Sequence, residues 1–104
     1  MTTNMSGSSQ GRLQTKRYQR ITLPDGRVLP GHDRSYLNNM VFDEDVSGQT
    51  MLDIGSHLGF FCIEGLLRGM RAATGLEPYP DSIRLARELA QEFGVQPRYL
   101  QNDF

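Results

Sequence analysis

Three acidic residues in the second half of the chain each close a predicted strand: Asp53, Glu77 and Asp103. Helical patterns separate these segments, so the strands should run parallel and bring all three carboxylates to one edge of a sheet. A single carboxylate at a strand end commonly caps a helix. Three of them beside a glycine-containing turn favour a ligand site, because ligands bind at the carboxyl edge of open α/β sheets.

The turn after Asp53 narrows the choice of ligand. A dinucleotide fingerprint needs glycine at its first, third and sixth positions, which here are Gly55, His57 and Phe60. The His57 side chain would obstruct a pyrophosphate, and no Gly-Lys-Ser or Gly-Lys-Thr sequence follows to form the phosphate loop of nucleotide hydrolases. The turn therefore favours a nucleoside ligand without phosphates.

Glu77 is placed to bind the ribose of such a nucleoside. It follows Gly55 by 22 residues, which is the length of one helix and one strand. Its carboxylate could then accept hydrogen bonds from both ribose hydroxyls above the turn.

Hydrophobic periodicity predicts the elements that position these residues. Strands are expected at 50–55, 72–76 and 98–101, and helices at 58–70 and 80–93. This alternation predicts an α/β fold with a parallel sheet. The strand 50–55 should be buried yet have an open, apolar edge. Cys62 falls on the apolar face of a helix, where we expect a packed thiol.

The first half of the chain predicts smaller elements. Residues 21–23 and 27–29 flank a Pro-Asp-Gly turn, which indicates a short β-hairpin. The segment 32–42 fits a short helix capped by Asp33, with a buried stripe formed by Tyr36, Leu37, Met40 and Val41. Residues 1–17 are Ser-rich and basic with few large apolar side chains, so we expect a disordered tail there.

Composition argues against several classes of protein. The chain has 11 basic and 12 acidic residues, so its overall charge gives no indication of nucleic-acid or membrane binding. Because the chain has one cysteine, we expect no intrachain disulfide. Because it has no cluster of ligand residues, we expect no metal site. No apolar segment has the length of a signal peptide core or a membrane span. We expect a soluble, cytoplasmic protein of one small domain.

The motifs resemble those of class I S-adenosylmethionine-dependent methyltransferases. The segment Asp53-Ile-Gly-Ser-His-Leu-Gly59 is similar to their first motif, with histidine in place of a commoner glycine. Gly75-Leu-Glu77-Pro resembles the end of their second strand, and the segment around Asp103 resembles the part that meets the adenine. The segment that precedes these motifs, from about residue 18, more weakly resembles the corresponding segment of transfer-RNA wobble-uridine methyltransferases.

This resemblance implies S-adenosyl-L-methionine as the cofactor and assigns roles around its methionine moiety. Asp53 would order the ammonium group. Gly55 and Ser56 would line the methionine chain, and Gly59 matches the last glycine of the motif.

The resemblance also assigns roles around the adenosine. Glu77 would hold the ribose, and Asp103 would hold the adenine amino group. Pro78 and Tyr79 would lie close to the adenine face.

The resemblance further implies a Rossmann-like fold that is truncated after its third strand. Residues 18–48 would form a hairpin and short-helix lead-in, and residues 49–104 the N-terminal half of a methyltransferase domain. The other half would carry the acceptor pocket, so we expect an N-terminal fragment of a longer enzyme that need not be active alone. No catalytic residue is nominated, since His32 and His57 are expected to be solvated loop side chains.

Several alternatives stay open at this point. The methyl acceptor is unidentified and could be a small molecule or a transfer RNA. The chain could instead be a non-catalytic module that binds S-adenosylmethionine or regulates another protein. A nucleotide-dependent oxidoreductase is a more remote alternative.

Overall fold

The computed structural model describes residues 20–33 and 36–102. The chain divides into two compact units, one within residues 1–34 and the other within residues 35–104. The tail expected at 1–17 lies outside the described residues, as does Asp103. Among the helices of the described ranges, none is long and apolar enough to cross a membrane.

The first unit contains the predicted β-hairpin. Strands β1 (Ile21–Thr22) and β2 (Val28–Leu29) pair antiparallel. In the turn between them, the Asp25 carboxylate accepts hydrogen bonds from the backbone N–H and Nε of Arg27, at 3.0 and 2.7 Å. Gly26 adopts a φ of +94°, which is why the turn needs glycine there. The hairpin prediction is confirmed.

The second unit begins with a helix that is shorter and more exposed than predicted. Helix α1 spans only Tyr36–Val41 and buries none of its residues. The expected stripe is wrong, because Tyr36, Met40 and Val41 are all exposed. His32 and Asp33 are not helical; the His32 carbonyl instead accepts a hydrogen bond from the backbone of Arg20. Periodicity yields a buried stripe only where another element covers it.

A parallel sheet forms the centre of the second unit. Its strands β3 (Thr50–Ile54), β4 (Ala72–Glu77) and β5 (Arg98–Gln101) lie in the order β3-β4-β5. The crossover helices are α2 (Phe60–Leu67) and α3 (Pro80–Phe93). The α/β fold predicted from the sequence, with parallel strands and alternating helices, is confirmed.

Glycines end both crossover helices. Gly94 closes α3 in the left-handed conformation, as the sequence predicted. Gly69, with a φ of +95°, turns the chain after α2, and the next residue, Met70, donates its backbone N–H to the Gly65 carbonyl. This closing turn ends α2 earlier than the predicted boundary at residue 70.

Both crossover helices pack on the same face of the sheet. The pleat points alternate residues of each strand to this face, and the core forms where they meet the helices. The cluster consists of Cys62, Ala73, Ile83, Ala86 and Tyr99, with Met51 and Leu66 packed against it. These side chains join both helices to this one face of the sheet.

The opposite face of the sheet is open among the described residues. Its apolar side chains remain accessible: Leu52 is 59% exposed, Ile54 60% and Leu100 40%. The expectation that strand 50–55 is buried is therefore wrong for this face, since the described helices cover only the other one. β3 lies at the edge of the sheet, as expected.

Candidate functional site

The turn between β3 and α2 is fixed to the neighbouring strand. The backbone N–H groups of Gly55 and Ser56 both donate to the carbonyl oxygen of Leu76, at 2.8 and 3.0 Å. Gly55 has a φ of +76°, and His57 adopts a φ of +52°, which is uncommon for a residue with a side chain. The turn is thus a tightly specified loop at the carboxyl end of the sheet.

Glu77 supports this turn from the end of β4. Its side chain is 1% exposed, and its two oxygens accept hydrogen bonds from the backbone N–H groups of His57, at 2.8 Å, and Tyr79, at 3.3 Å. The His57 Nδ1 lies 3.8 Å from the same carboxylate. Glu77 therefore joins the glycine turn to the segment that leads into α3.

Asp53 stands on the same face of the sheet as Glu77. It pairs across the strands with Gly75, whereas Glu77 pairs with Gln101, so the two carboxylates are offset along the sheet. Burial raises the pKa of the half-buried Asp53; nearby His57 opposes this effect and Glu77 adds to it. The two carboxylates are therefore close enough to influence each other at one edge of the sheet.

Ser56 turns its side chain into the protein. The residue is buried, and its Oγ makes no hydrogen bond within the described part of the chain. It lies against Gly75, where an added Cβ would come within 2.6 Å of this oxygen. The Ser56 hydroxyl therefore lies beneath the turn, while its backbone N–H is bonded to β4 and its carbonyl accepts from Gly59.

The last glycine of the motif begins α2 and contacts a residue that sequence reasoning missed. Gly59 has a φ of +76°, and its carbonyl accepts a hydrogen bond of 3.2 Å from the buried Tyr99 hydroxyl. The sequence identified Tyr99 only as part of a strand. A signal was present in Gly75, because a glycine inside a strand often marks a close approach by another group.

The residues expected beside the adenine differ in their exposure. Tyr79 is exposed, and Pro78 is partly buried with its carbonyl accepting a hydrogen bond from the Gln101 side chain. Asp103 lies outside the described residues. Tyr79 is thus an accessible aromatic ring next to Glu77.

Cys62 is a packed thiol, as expected. It is fully buried on α2, and burial, reinforced by nearby Asp53, raises the pKa of the thiol to about 12. It is therefore protonated at neutral pH and is a poor nucleophile. Over residues 20–33 and 36–102, no group of His, Cys, Asp and Glu side chains is arranged to hold a metal ion.

A curated relative connects this geometry with methyltransferases. Over 62 residues the chain is 37% identical to a ribosomal protein L11 methyltransferase of Enterobacter sp. (strain 638). The matched region is 57% of this chain and 21% of that protein, so the chain spans about a fifth of the relative's length. No family model matches the chain.

Solved structures show the same fold. A ribosomal protein L11 methylase of Lactobacillus delbrueckii subsp. bulgaricus matches with a TM-score of 0.61 and 19% identity, over 77% of this chain and 41% of that one. A candidate RNA methyltransferase of Pyrococcus horikoshii matches with a TM-score of 0.53 and 20% identity, over 66% and 33%.

The parallel-sheet unit therefore has the Rossmann-like fold of class I methyltransferases, and the resemblance of its motifs to that class is confirmed. The weaker resemblance of the lead-in stays a prediction. The chain is similar in sequence to a methyltransferase and covers only part of its structural neighbours.

Proposed function

We propose that residues 49–104 are the N-terminal, cofactor-binding half of a methyltransferase domain and that they bind S-adenosyl-L-methionine. One observation carries the proposal: Glu77, at the end of β4, is hydrogen-bonded to the glycine turn that starts α2. The turn and two carboxylates, Asp53 and Glu77, consequently share one edge of the sheet. The sequence match to a methyltransferase supports the same function.

The methionine end of the ligand would lie over the turn. There the backbone of Gly55 and Ser56 can approach closely because Gly55 has no Cβ. Asp53, half-buried beneath, would attract the ammonium group, and that charge would in turn favour the ionised carboxylate.

The ribose end would engage Glu77. A carboxylate has about four lone-pair sites, and two N–H groups occupy only part of them, so the oxygens can accept further bonds. Since Glu77 is nearly fully buried, ribose hydroxyls reach it only if the segments that cover it shift. The exposed Tyr79 belongs to one of these segments and would then cover the adenine.

Methyl transfer requires mainly that the protein position the methyl donor relative to the acceptor. S-adenosylmethionine supplies a methyl group on a sulfonium, which is already a good leaving group. The contribution of Asp53, Glu77 and the turn is to hold the donor in one orientation, and such alignment accounts for much of the rate of a two-substrate reaction.

Titration calorimetry with S-adenosylhomocysteine tests the proposal. We expect saturable binding by the chain, and a weaker or undetectable response to NADH followed by its fluorescence. Binding of NADH in preference to S-adenosylhomocysteine would overturn the proposal in favour of an oxidoreductase. Failure to bind either ligand, with the chain folded by circular dichroism, would also overturn it.

A second candidate is a module that binds the cofactor without turnover. The turn, Asp53 and Glu77 would all contact the cofactor, and none of them is assigned to an acceptor, which favours binding by this segment. Transfer of labelled methyl groups separates the two candidates. The acceptors to be tried are ribosomal protein, suggested by the curated relative, transfer RNA, and a small-molecule extract.

A further inference from the structure

We infer that Tyr99 is a positioning residue, which holds the end of the glycine turn in the conformation that the cofactor requires. This inference rests on the proposed function. It adds a residue on β5 to a site whose sequence motifs lie on the turn after β3 and at the end of β4.

The contact joins β5 to the start of α2. The Tyr99 hydroxyl donates to the Gly59 carbonyl at 3.2 Å, and the Tyr99 side chain is 2% exposed. The same carbonyl accepts the backbone N–H of Ile63 at 3.0 Å, which is the first bond of the helix. Burial raises the pKa of Tyr99, so the hydroxyl keeps its proton and remains a donor.

Two glycines create the space that Tyr99 fills. A Cβ on Gly59 would lie 2.0 Å from the Tyr99 hydroxyl oxygen. A Cβ on Gly75 would lie 2.9 Å from the Tyr99 ring and 2.6 Å from the Ser56 hydroxyl. The ring therefore sits directly beneath the turn because neither neighbour has a side chain.

The hydrogen bond from Tyr99 complements the hydrogen bonds that β4 makes to the turn. Leu76 and Glu77 bind the N–H groups of Gly55, Ser56 and His57, which form the start and middle of the turn. Tyr99 contacts its end, where α2 begins without a side-chain cap. The orientation of the first amides of α2 relative to the turn is thus tied to β5.

Tyr99→Phe tests the role, because it keeps the ring and removes the hydroxyl. We expect the Kd for S-adenosylhomocysteine to rise about three- to tenfold, the effect of one net hydrogen bond. In the unliganded chain the Ile63 amide should exchange faster. Sucrose is included to keep every variant folded, and circular dichroism checks this.

Arg87→Gln is the matched control. The Arg87 side chain donates to the Tyr99 carbonyl at 3.1 Å, so its loss weakens the packing of the same residue without touching the turn. We expect a lower Tm for this variant and an unchanged Kd. A purely structural role for Tyr99 predicts instead that both variants change affinity in proportion to their loss of Tm.

An unchanged Kd in Tyr99→Phe, while the unsubstituted chain binds, would overturn the inference. A rise in Kd in Arg87→Gln equal to that in Tyr99→Phe would overturn it as well. If the unsubstituted chain fails to bind S-adenosylhomocysteine, the proposed function fails and takes the cofactor role of Tyr99 with it. Exchange at Ile63 then reports separately whether the hydroxyl holds the turn.

Discussion

Glu77 contributes to the structure of the site before any ligand is present. Its buried carboxylate bonds two backbone N–H groups, those of His57 and Tyr79, on either side of the candidate site. This carboxylate fixes the turn, and in the proposed function its remaining lone pairs would also accept hydrogen bonds from the ribose. Substitutions at this residue should therefore change stability and affinity together.

Glu77→Ala should lower the free energy of unfolding by about 1 to 3 kcal/mol, because it leaves two N–H groups without their acceptor. Affinity for S-adenosylhomocysteine should fall by a similar amount. Urea unfolding and calorimetry measure the two effects. Glu64→Ala is the control, since the partly buried Glu64 carboxylate pairs with Arg68 one turn along α2, and it should cost less in stability and nothing in affinity.

Asp53, unlike Glu77, lowers the stability of the fold when it is ionised. Its raised pKa means that the folded chain favours the protonated carboxyl. The stabilisation from that proton is fully present below the pKa of the unfolded chain and is lost as the pH rises through the higher folded-state pKa. At neutral pH the ionised Asp53 is thus a cost to folding.

Asp53→Asn should raise the free energy of unfolding at pH 7 by less than about 1 kcal/mol, since solvent screens a half-exposed carboxylate. The gain over the unsubstituted chain should disappear toward about pH 4. Affinity for S-adenosylhomocysteine should fall at the same time. Urea titrations at both pH values measure the stability change.

Asp45→Asn should change the free energy of unfolding in the opposite direction to Asp53→Asn. The side-chain and backbone hydrogen bonds of Ser47 lower the pKa of Asp45, so its contribution to stability is present above the unfolded-state pKa and lost as the pH falls. This variant should be less stable than the unsubstituted chain at pH 7. A destabilised Asp53→Asn would contradict the account given for Asp53.

Among the elements, the junction of the turn with α2 is the most constrained. Gly59 needs a left-handed backbone and also has no room for a side chain, because Tyr99 fills the space. Gly94 at the end of α3 needs the same backbone, but nothing lies within 4 Å of its Cβ position. A side chain at Gly94 would therefore introduce backbone strain alone, whereas a side chain at Gly59 would introduce backbone strain and a steric clash.

Gly94→Ala should cost about 1 to 2 kcal/mol in the free energy of unfolding, the penalty of a left-handed alanine. Gly59→Ala should cost about 1 to 3 kcal/mol more, because Tyr99 must also move. Denaturant unfolding compares the two variants directly. Equal losses would show that Tyr99 yields without strain.

At the scale of the whole molecule, the residues that the structure describes cover one face of the sheet in the parallel-sheet unit and leave the other open. Parallel sheets are usually covered on both faces, and Leu52, Ile54 and Leu100 leave the open face apolar. β3 also forms an edge of this sheet. Such a surface favours association with other apolar surfaces.

Replacing Leu52 and Ile54 together with lysine should reduce the binding of the dye ANS and should reduce self-association in light scattering. The physical reason is that charge on this face removes its apolar character while the core on the opposite face stays intact. Leu67→Lys is the control, because Leu67 is an exposed apolar residue of α2. A comparable loss of dye binding in the control would contradict this account.

The sequence by itself determined the order and type of the main elements. The periodicity of residues 50–101 predicted three strands and two helices, and Pro80 and Gly94 marked the ends of α3. These signals are local, because they depend on neighbouring residues along one element. The same locality let the motif around Asp53 and Glu77 indicate the fold of class I methyltransferases, since its residues lie on two consecutive units of the fold.

The tertiary structure alone decided which faces are covered and which side chains meet. It left Tyr36, Met40, Leu52 and Ile54 exposed, although their periodicity fits a buried surface. It also brought Tyr99 to Gly59 across 40 residues. Such outcomes depend on which element packs against which face, and a pattern within one segment carries no information about its partner.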